Sequence, residues 1–409
     1  MPARQLVEAL GISPATLMRR LQKDGDNVLR IGLGRATRYG LIQSWPGIHA
    51  ARFSLVRIDE AGHPVAEGEL VTLAAGQSVW LPVGDVSNGL PIEISDASPS
   101  GFLGRLFASQ HADLGIPSRI FDWSDHHVLN AVTRRGEDLP GNLIAGQESL
   151  DRWFNSRPQP ATAEDYPELA DNALAGRASG ACLGGDRPKF ATFADGRHVL
   201  VKFAGNSGGD GGAAQRWRDL LALEALALDV LREHGVPAAH AELLSSDTYK
   251  FLEVERFDRI GERGRRAVLT LAAIHQNPVD SWSTAAVRLH EMRRISVDDA
   301  RRLRLLDAFG ALIANTDRHH HNVAFFPAPA GYTLAPAFDQ LPMLYAPSGD
   351  GSVPAREFPR PRPAAETLDV WDEARSMALT FWHNASDGPT VSDGMRRIAA
   401  HNARTLSAS

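Results

Sequence analysis

The stretch from Asn315 to Asp339 constrains this chain most, because it sets two carboxylates and a carboxamide at the ends of one loop and one hairpin. It begins Asn315-Thr316-Asp317-Arg318-His319-His320-His321-Asn322. A short apolar run, Val323 to Phe326, is followed by a turn at Pro327 to Gly331, and then by Tyr332 to Phe338 leading into Asp339. Two extended runs around a turn read as a β-hairpin, which returns the second carboxylate beside the first. Asn322 and Asp339 offer the hard oxygens that suit magnesium, an ion that takes few protein ligands when phosphates supply the rest.

Asp317 precedes Asn322 by five residues, the spacing of a protein-kinase catalytic loop in which the Asp accepts the substrate hydroxyl proton and the Asn holds a metal ion. Upstream, Val199-Leu200-Val201-Lys202 reads as a strand ending in a cation, similar to the Val-Ala-Ile-Lys strand that binds nucleotide phosphates. An ammonium on the inner face of a strand needs an anion to offset its desolvation. The helix expected over Ala213 to His234 sets Glu224 on the apolar stripe of Leu220, Ala227 and Leu231, which makes Glu224 the candidate partner. A slightly rotated face, with Glu224 exposed, is the alternative.

Before the strand Phe190 to Phe193 lies a Gly-rich segment, Gly176 to Lys189, whose Gly184 and Gly185 would let backbone N–H groups approach phosphates. A flexible surface turn has the same composition. The segment does not match Gly-x4-Gly-Lys-Ser/Thr, which disfavours a P-loop NTPase. The His triplet invites a zinc reading. Consecutive His residues in extended chain alternate sides, however, and the single cysteine, Cys182, is remote. His319 is instead expected to buttress the loop from within the core, and Arg318 either to neutralise a neighbouring charge or to brace the loop.

The run Asn315 to Asn322, followed by Ala335-Pro336-Ala337-Phe338-Asp339, resembles the HipA family of bacterial serine/threonine kinases, the toxins of type II toxin-antitoxin systems. The resemblance extends in order along nearly the whole chain and is greatest to the YjjJ-like branch, which carries its own amino-terminal helix-turn-helix. It implies an α+β, two-lobed HipA-like kinase fold using ATP and Mg2+ on a protein substrate. Asp317 would be catalytic, Lys202 would bind phosphates, and Asn322 and Asp339 would hold the metal and nucleotide. Glu255-Arg256-Phe257-Asp258-Arg259 resembles the segment linking the lobes, which implies that Glu255 and Phe257 meet adenine. Arg256 and Asp258 read equally well as an internal ion pair.

Pro99 to Arg105 and Pro140 to Gly146 resemble parts of the family's amino-terminal subdomain. The family places a self-phosphorylated Ser seven residues before Lys189, where this chain has Cys182, with Ser179 out of register. Self-inactivation through that loop is therefore not implied here. A small-molecule kinase, or a regulator with a non-catalytic kinase-like body, would use many of the same residues.

At the amino end, Pro2 to Leu10 reads as a helix, Gly11-Ile12 as a turn, and Ser13 to Lys23 as a second helix with a Ser N-cap and Pro14 at its first position. Thr16, Arg19, Arg20 and Lys23 are interleaved with Leu17, Met18 and Leu21. Val28 to Ile31 and Arg38 to Leu41 then form a two-stranded wing bearing Arg30, Arg35 and Arg38. Motif, local charge and wing point to DNA as a partner in a winged-helix-like module. A dimerisation appendage is the alternative. A three-helix winged domain has a further helix upstream, so the module is expected to be trimmed or to start late. It would partly replace a separate antitoxin.

With 409 residues the chain has room for two or three domains, and the texture places them at 1–45, 50–172, 173–258 and 259–409, the last two forming one kinase body. Strands are expected over Arg52–Asp59, Glu67–Ala74 and Ser78–Pro82. Helices are expected over Val268–His275, Val297–Asn315, Ala364–Asn384 and Val391–Thr405. Pro354 to Pro363 reads as an irregular loop. The net charge of −6 argues against wholesale nucleic-acid binding without excluding a local basic patch. No apolar run is long enough for a membrane span, and Met1 to Leu10 has no signal-peptide core. One cysteine fits a reducing cytoplasm.

Overall fold

The computed structural model describes residues 1–176, 187–206 and 212–408. Ser179, Cys182, Gly184 and Gly185 lie outside those residues, as does the side chain of Arg35.

The first helix, α1 (Ala3–Leu10), stops at Gly11, whose φ of 60° is cheap only for glycine. In α2 (Pro14–Lys23) the Ser13 hydroxyl accepts the Thr16 N–H at 3.2 Å, and Pro14 occupies the position where no N–H is needed. β1 (Val28–Ile31) pairs antiparallel with β2 (Arg38–Leu41). Leu29 and Ile31 bury against Val71, Leu73 and Val79 of the next sheet, so this ribbon is fastened to the body rather than tethered.

That next sheet is antiparallel, with β3 (Arg52–Ile58), β4 (Pro64–Leu73), β5 (Gln77–Leu81), β6 (Asp85–Asn88) and β7 (Leu143–Ala145) in the order β6-β5-β4-β3-β7. Its inward residues, among them Phe53, Leu55, Leu70 and Trp80, pack on α5 (Asp125–Arg135) through Leu129. Two further helices, α3 (Ile92–Asp96) and α4 (Gly101–Gln110), precede α5, and α6 (Gln147–Asn155) follows β7. The three strands read from sequence are present, and β6 and β7 complete the sheet.

After α7 (Tyr166–Leu174) comes a second antiparallel sheet of β8 (Lys189–Ala194), β9 (Arg197–Gly205), β10 (Ala241–Ser245) and β11 (Tyr249–Glu255), ordered β10-β11-β9-β8. Period-two alternation divides its residues between two cores. Val199, Val201 and Phe203 join Phe190, Phe251 and the Tyr166 ring of α7. On the opposite face, Ala204, Leu252 and Val254 pack on Leu221 and Ala225 of α8 (Ala213–Glu233). Lys202 belongs to this second face, which is the one that matters for chemistry.

The remaining chain is mostly helical. Two short pairs, β12 (Arg259–Ile260) with β13 (Gly264–Arg265), and β14 (Leu269–Thr270) with β15 (Ala324–Ala328), lead into α9 (Leu271–Ile274), α10 (Trp282–Glu291), α11 (Val297–Leu312), α12 (Trp371–Asp387) and α13 (Asp393–Ser407). A large core holds them together around Trp282, Leu303, Phe309, Phe381 and Trp382. The helix expected over Val268–His275 is instead β14 plus one helical turn. Leu269 and Thr270 pair with Phe325 and Ala324, and the Thr270 hydroxyl then caps α9 by accepting the Ala273 N–H at 3.3 Å. Likewise, Ala365–Val370 is a 3-10 turn and α12 begins only at Trp371. Among the described residues no helix is long and apolar enough to cross a membrane.

Candidate active site

The site grows from a cation that the fold buries. Lys202 sits on β9 opposite Leu252 of β11 and Lys189 of β8. Its ammonium donates to both carboxylate oxygens of Glu224 at 2.7 and 2.8 Å and to Asp339 Oδ1 at 2.5 Å. Glu224 is 1% exposed, so α8 presents it on its buried stripe and not on the rotated, exposed alternative. Desolvation opposes the ammonium, but the charges of Asp339 and Glu224 outweigh it and raise its pKa above the ordinary lysine value. Desolvation also opposes ionisation of Asp339, yet Lys202 and Lys189 hold its carboxyl below the usual range. Asp339 is therefore a carboxylate at neutral pH.

Lys189 escaped the sequence reading as a site residue. Its signal was present in the strand register, since it is the cross-strand neighbour of Lys202 and is 3% exposed.

Asp339 arrives by way of the expected hairpin, β15 with β16 (Gly331–Leu334), whose register runs from Phe325 opposite Leu334 to Ala328 opposite Gly331. The chain from β16 then crosses under α8's C-terminal loop, where the Ala337 N–H donates to Pro237 O and Ala337 O accepts the Ala239 N–H. Asp339 has a φ of 55°, a left-handed backbone costly for a non-glycine residue. Such strain persists only where the surroundings hold the residue, and the Asp339 side chain is held by Lys202.

The catalytic-loop candidate hangs from the end of α11. Ala314 adopts a φ of 60°, the Asn315 N–H returns to Gly310 O at 2.8 Å, and the buried Asn315 side chain accepts the Asp317 N–H at 3.0 Å. The Asn322 amide donates from Nδ2 to Asp317 O at 2.9 Å, and among the described residues its Oδ1 accepts no hydrogen bond. The Asp317 carboxylate is 48% exposed and 3.8 Å from the His319 ring. It is a solvent-accessible carboxylate on a loop that the Asn322 side chain ties to its backbone.

Arg318 braces the loop. Its Nε donates to Asp307 Oδ1 at 3.0 Å and its Nη1 to Asn315 O, while Asp307 Oδ2 also accepts the Ser283 N–H and hydroxyl at 3.1 and 2.6 Å. Room for the Arg318 chain exists because residue 310 is glycine, where a Cβ would lie 2.6 Å from Arg318 Cδ. Gly310→Ala must displace a side chain pinned at both ends. It is expected to destabilise the protein by about 1–3 kcal/mol, measurable as a lower urea midpoint. An unchanged midpoint would show that Arg318 is free to move.

The buttressing histidine is His320, not His319. His319 is 47% exposed, whereas His320 is 6% exposed and bonds Asp280 O through Nε2 at 2.8 Å. The triplet alternates: His319 and His321 are exposed with their rings 5.9 Å apart, so the middle residue, which opens the 3-10 turn His320–Asn322, is the one that faces inward. Asp280 in turn binds the His275 ring at 2.7 Å and the Arg288 guanidinium at 2.6 Å, and Trp282 Nε1 donates to His319 O at 3.2 Å. The loop thus rests on a polar shelf at the start of α10. No group of three or more His, Cys, Asp or Glu side chains arranged for a metal ion occurs among the described residues.

In the segment joining the sheet to the helical body, Phe257 packs its ring 5.6 Å from Phe338, the neighbour of Asp339, and 5.9 Å from Phe326. The Glu255 and Arg256 N–H groups donate to His240 O and His198 O. The Arg256 side chain is committed to the internal ion pair: Nε and Nη2 meet the two oxygens of Asp258 at 3.0 Å each.

A four-stranded antiparallel sheet with a lysine clamped by a helix glutamate, set above a helical body that delivers two carboxylates and an asparagine, is a protein-kinase-like architecture. The comparisons agree with it and narrow it. Residues 181–403 match the HipA-like C-terminal domain, and residues 49–154 match the middle domain of YjjJ-like toxins. The toxin YjjJ of Escherichia coli strain K12 is 33% identical over 421 aligned positions, spanning 97% of this chain and 93% of that protein. HipA of Shewanella oneidensis MR-1, solved with HipB and operator DNA, shares the fold at a TM-score of 0.58 and 16% identity, covering 87% of this chain and 96% of that one. The chain belongs to the HipA family, in the branch that carries the YjjJ-like middle domain.

Proposed function

We propose that this protein is a Ser/Thr protein kinase of the toxin type that transfers the γ-phosphoryl group of ATP to a cellular protein. The observation that supports this reading is the Lys202–Glu224–Asp339 triad at 2.5–2.8 Å, in which Lys202 would be the phosphate-binding cation and Asp339 the metal-binding carboxylate. ATP with magnesium supplies the transferable group and its charge neutralisation. Asn322 Oδ1 and Asp339 fit the ion, since both are hard oxygens and both are left with acceptor capacity. Lys202 would bind phosphate oxygens, with Lys189 adding to the field. Asp317 would orient the substrate hydroxyl and accept its proton. Phe257 would give adenine a ring to lie against, beside backbone groups at Glu255. Positioning and electrostatics would dominate the rate, because the loose transition state asks for little covalent chemistry.

The test is transfer of labelled γ-phosphate in a lysate freed of small molecules, with Asp339→Asn as control. A labelled protein seen only with the parent supports the reading. Label appearing only on added metabolites would replace it with a small-molecule kinase, and ATP binding without transfer would replace it with a regulator.

DNA and an antitoxin are proposed partners, as the Shewanella relative was solved with HipB and operator DNA. Arg19, Arg20, Lys23 and Arg38 are exposed, and Thr16 bonds the Ser13 hydroxyl at the start of α2. Arg19→Ala with Arg20→Ala is expected to weaken DNA binding and to lower the salt slope by about one per lost phosphate contact. Because both side chains are exposed, melting should be unchanged. Equal affinity of parent and variant would remove α2 from the interface.

A further inference from the structure

The middle domain meets the helical body at the linking segment, where Arg256 and Arg259 reach Asp138 at 3.4 and 2.9 Å and Arg265 donates to Glu137 O. It meets that body again beside the catalytic-loop candidate. There Asp96, the last residue of α3, takes both hydrogens that Thr270 of β14 offers. Asp96 Oδ2 accepts the Thr270 N–H at 2.8 Å and Oδ1 accepts its hydroxyl at 2.6 Å, across 174 residues of chain. A carboxylate that accepts twice makes a strong, oriented contact.

Nothing in α3 itself calls for this carboxylate, since an acid at the carbonyl end of a helix opposes the peptide dipoles. Its position is set by its neighbours: Ile94, 2% exposed, and Ala97 pack into the middle-domain core with Leu55 and Leu129. Thr270, for its part, is joined to the catalytic loop through the sheet. The Leu271 N–H donates to Val323 O at 2.8 Å, and Thr270 lies opposite Ala324 in the antiparallel register. Successive N–H groups of a strand point to opposite edges, so the Thr270 N–H faces away from β15, and Asp96 closes that edge. The Thr270 hydroxyl is committed at both ends, donating to Asp96 and accepting the Ala273 N–H. Val323 directly follows Asn322, whose Nδ2 holds Asp317 O.

We propose that Asp96 is a positioning residue for the catalytic loop: from the middle domain it anchors β14, and β14 fixes the start of β15 and the Asn322 that precedes it. The front of the chain is on this account part of the frame that sets Asn322 against Asp317. The effect of Asp96 on phosphoryl transfer rests on the kinase reading above, whereas its effect on the loop does not.

The test follows amide hydrogen exchange of the full chain without nucleotide, comparing the parent with Asp96→Ala. Amides of residues 269–273 and 315–325 are expected to exchange about tenfold faster or more in the variant, the scale of hydrogen bonds lost from a charged acceptor, with α12 unchanged. Transfer of labelled γ-phosphate should show kcat lowered about 10- to 100-fold with KM for ATP held, because Lys202, Glu224 and Asp339 keep their contacts. Asp96→Asn keeps an oxygen for the Thr270 N–H and should recover part of both losses. If Asp96→Ala does not fold, Asp96→Asn is the variant compared, and its loop should still exchange faster than that of the parent. Loop exchange equal in parent and folded variant, or a loosened loop with unchanged kcat, overturns the proposal. A parent that transfers no phosphate defeats the kinase reading instead, and the exchange comparison still decides whether Asp96 holds the loop.

Discussion

Asp339→Asn is expected to reduce phosphoryl transfer by about 10³-fold or more, the scale on which preorganised charge at a transferring phosphate operates. The change removes one negative charge from the ligand that the proposed magnesium ion needs most. It leaves a side chain of the same shape. The fold should survive, because Lys202 keeps both oxygens of Glu224 at 2.7 and 2.8 Å. Tm close to that of the parent, nucleotide binding retained without magnesium, and loss of its magnesium dependence together distinguish this from unfolding. In growing cells, overproduced parent should slow growth and the variant should not. Transfer within tenfold of the parent, or equal toxicity of the two proteins, would remove Asp339 from the metal site.

The second large effect is on stability. Asp258 accepts from Arg256 at two points, from Arg259 Nη1 at 2.7 Å, and from the Gly141 N–H at 3.0 Å. Asp258→Asn would leave two buried guanidiniums with only Asp138 between them. Removing one partner of a buried ionic group costs about 3–5 kcal/mol, because the other charge stays desolvated. A urea midpoint and Tm lowered accordingly are the expected result; an unchanged midpoint would mean that water reaches the arginines.

The same network gives stability an acid dependence. Desolvation works to raise Asp138, but Arg256, Arg259 and Arg265 overcome it and hold its carboxyl down to about 2. Asp258 is depressed too, desolvation again being outweighed by Arg256 and Arg259. A depressed carboxyl contributes stability that is fully present above its unfolded value of about 3.9 and is lost as the pH falls through the folded value. Stability should therefore fall steeply from about pH 4 downward, and less steeply in Asp258→Asn.

Much of the site was legible because its residues obey local periods. The stripe of α8 made Glu224 the candidate partner of Lys202 while leaving a rotated, exposed face open, and the hairpin carrying Asp339 could be read from two extended runs around a turn. The amino-terminal elements followed from Ser13, Pro14 and Gly11. What escaped depends on geometry that no local period encodes. His320 rather than His319 is the inward residue because the Asp280 carbonyl lies within reach of its ring, and Leu269–Thr270 joins a sheet because Phe325 and Ala324 are waiting there. Arg265 and Asp138 sit in no local pattern that marks them. Their meaning comes from contacts across more than 100 residues of chain, between segments whose patterns say nothing of each other.

Those contacts also bear on how such chains can be shuffled. Arg259 takes acceptors from Leu139 O and Gly141 O at 2.7 and 3.0 Å, so the middle domain furnishes part of the interior of the kinase-like body. A lineage that exchanged this front end for another would have to import a carboxylate and two carbonyls at matching positions. Separating the two modules would strand buried Arg259 donors, whereas the basic helix pair and its ribbon are fastened through Leu29 and Ile31 to a few aliphatic side chains.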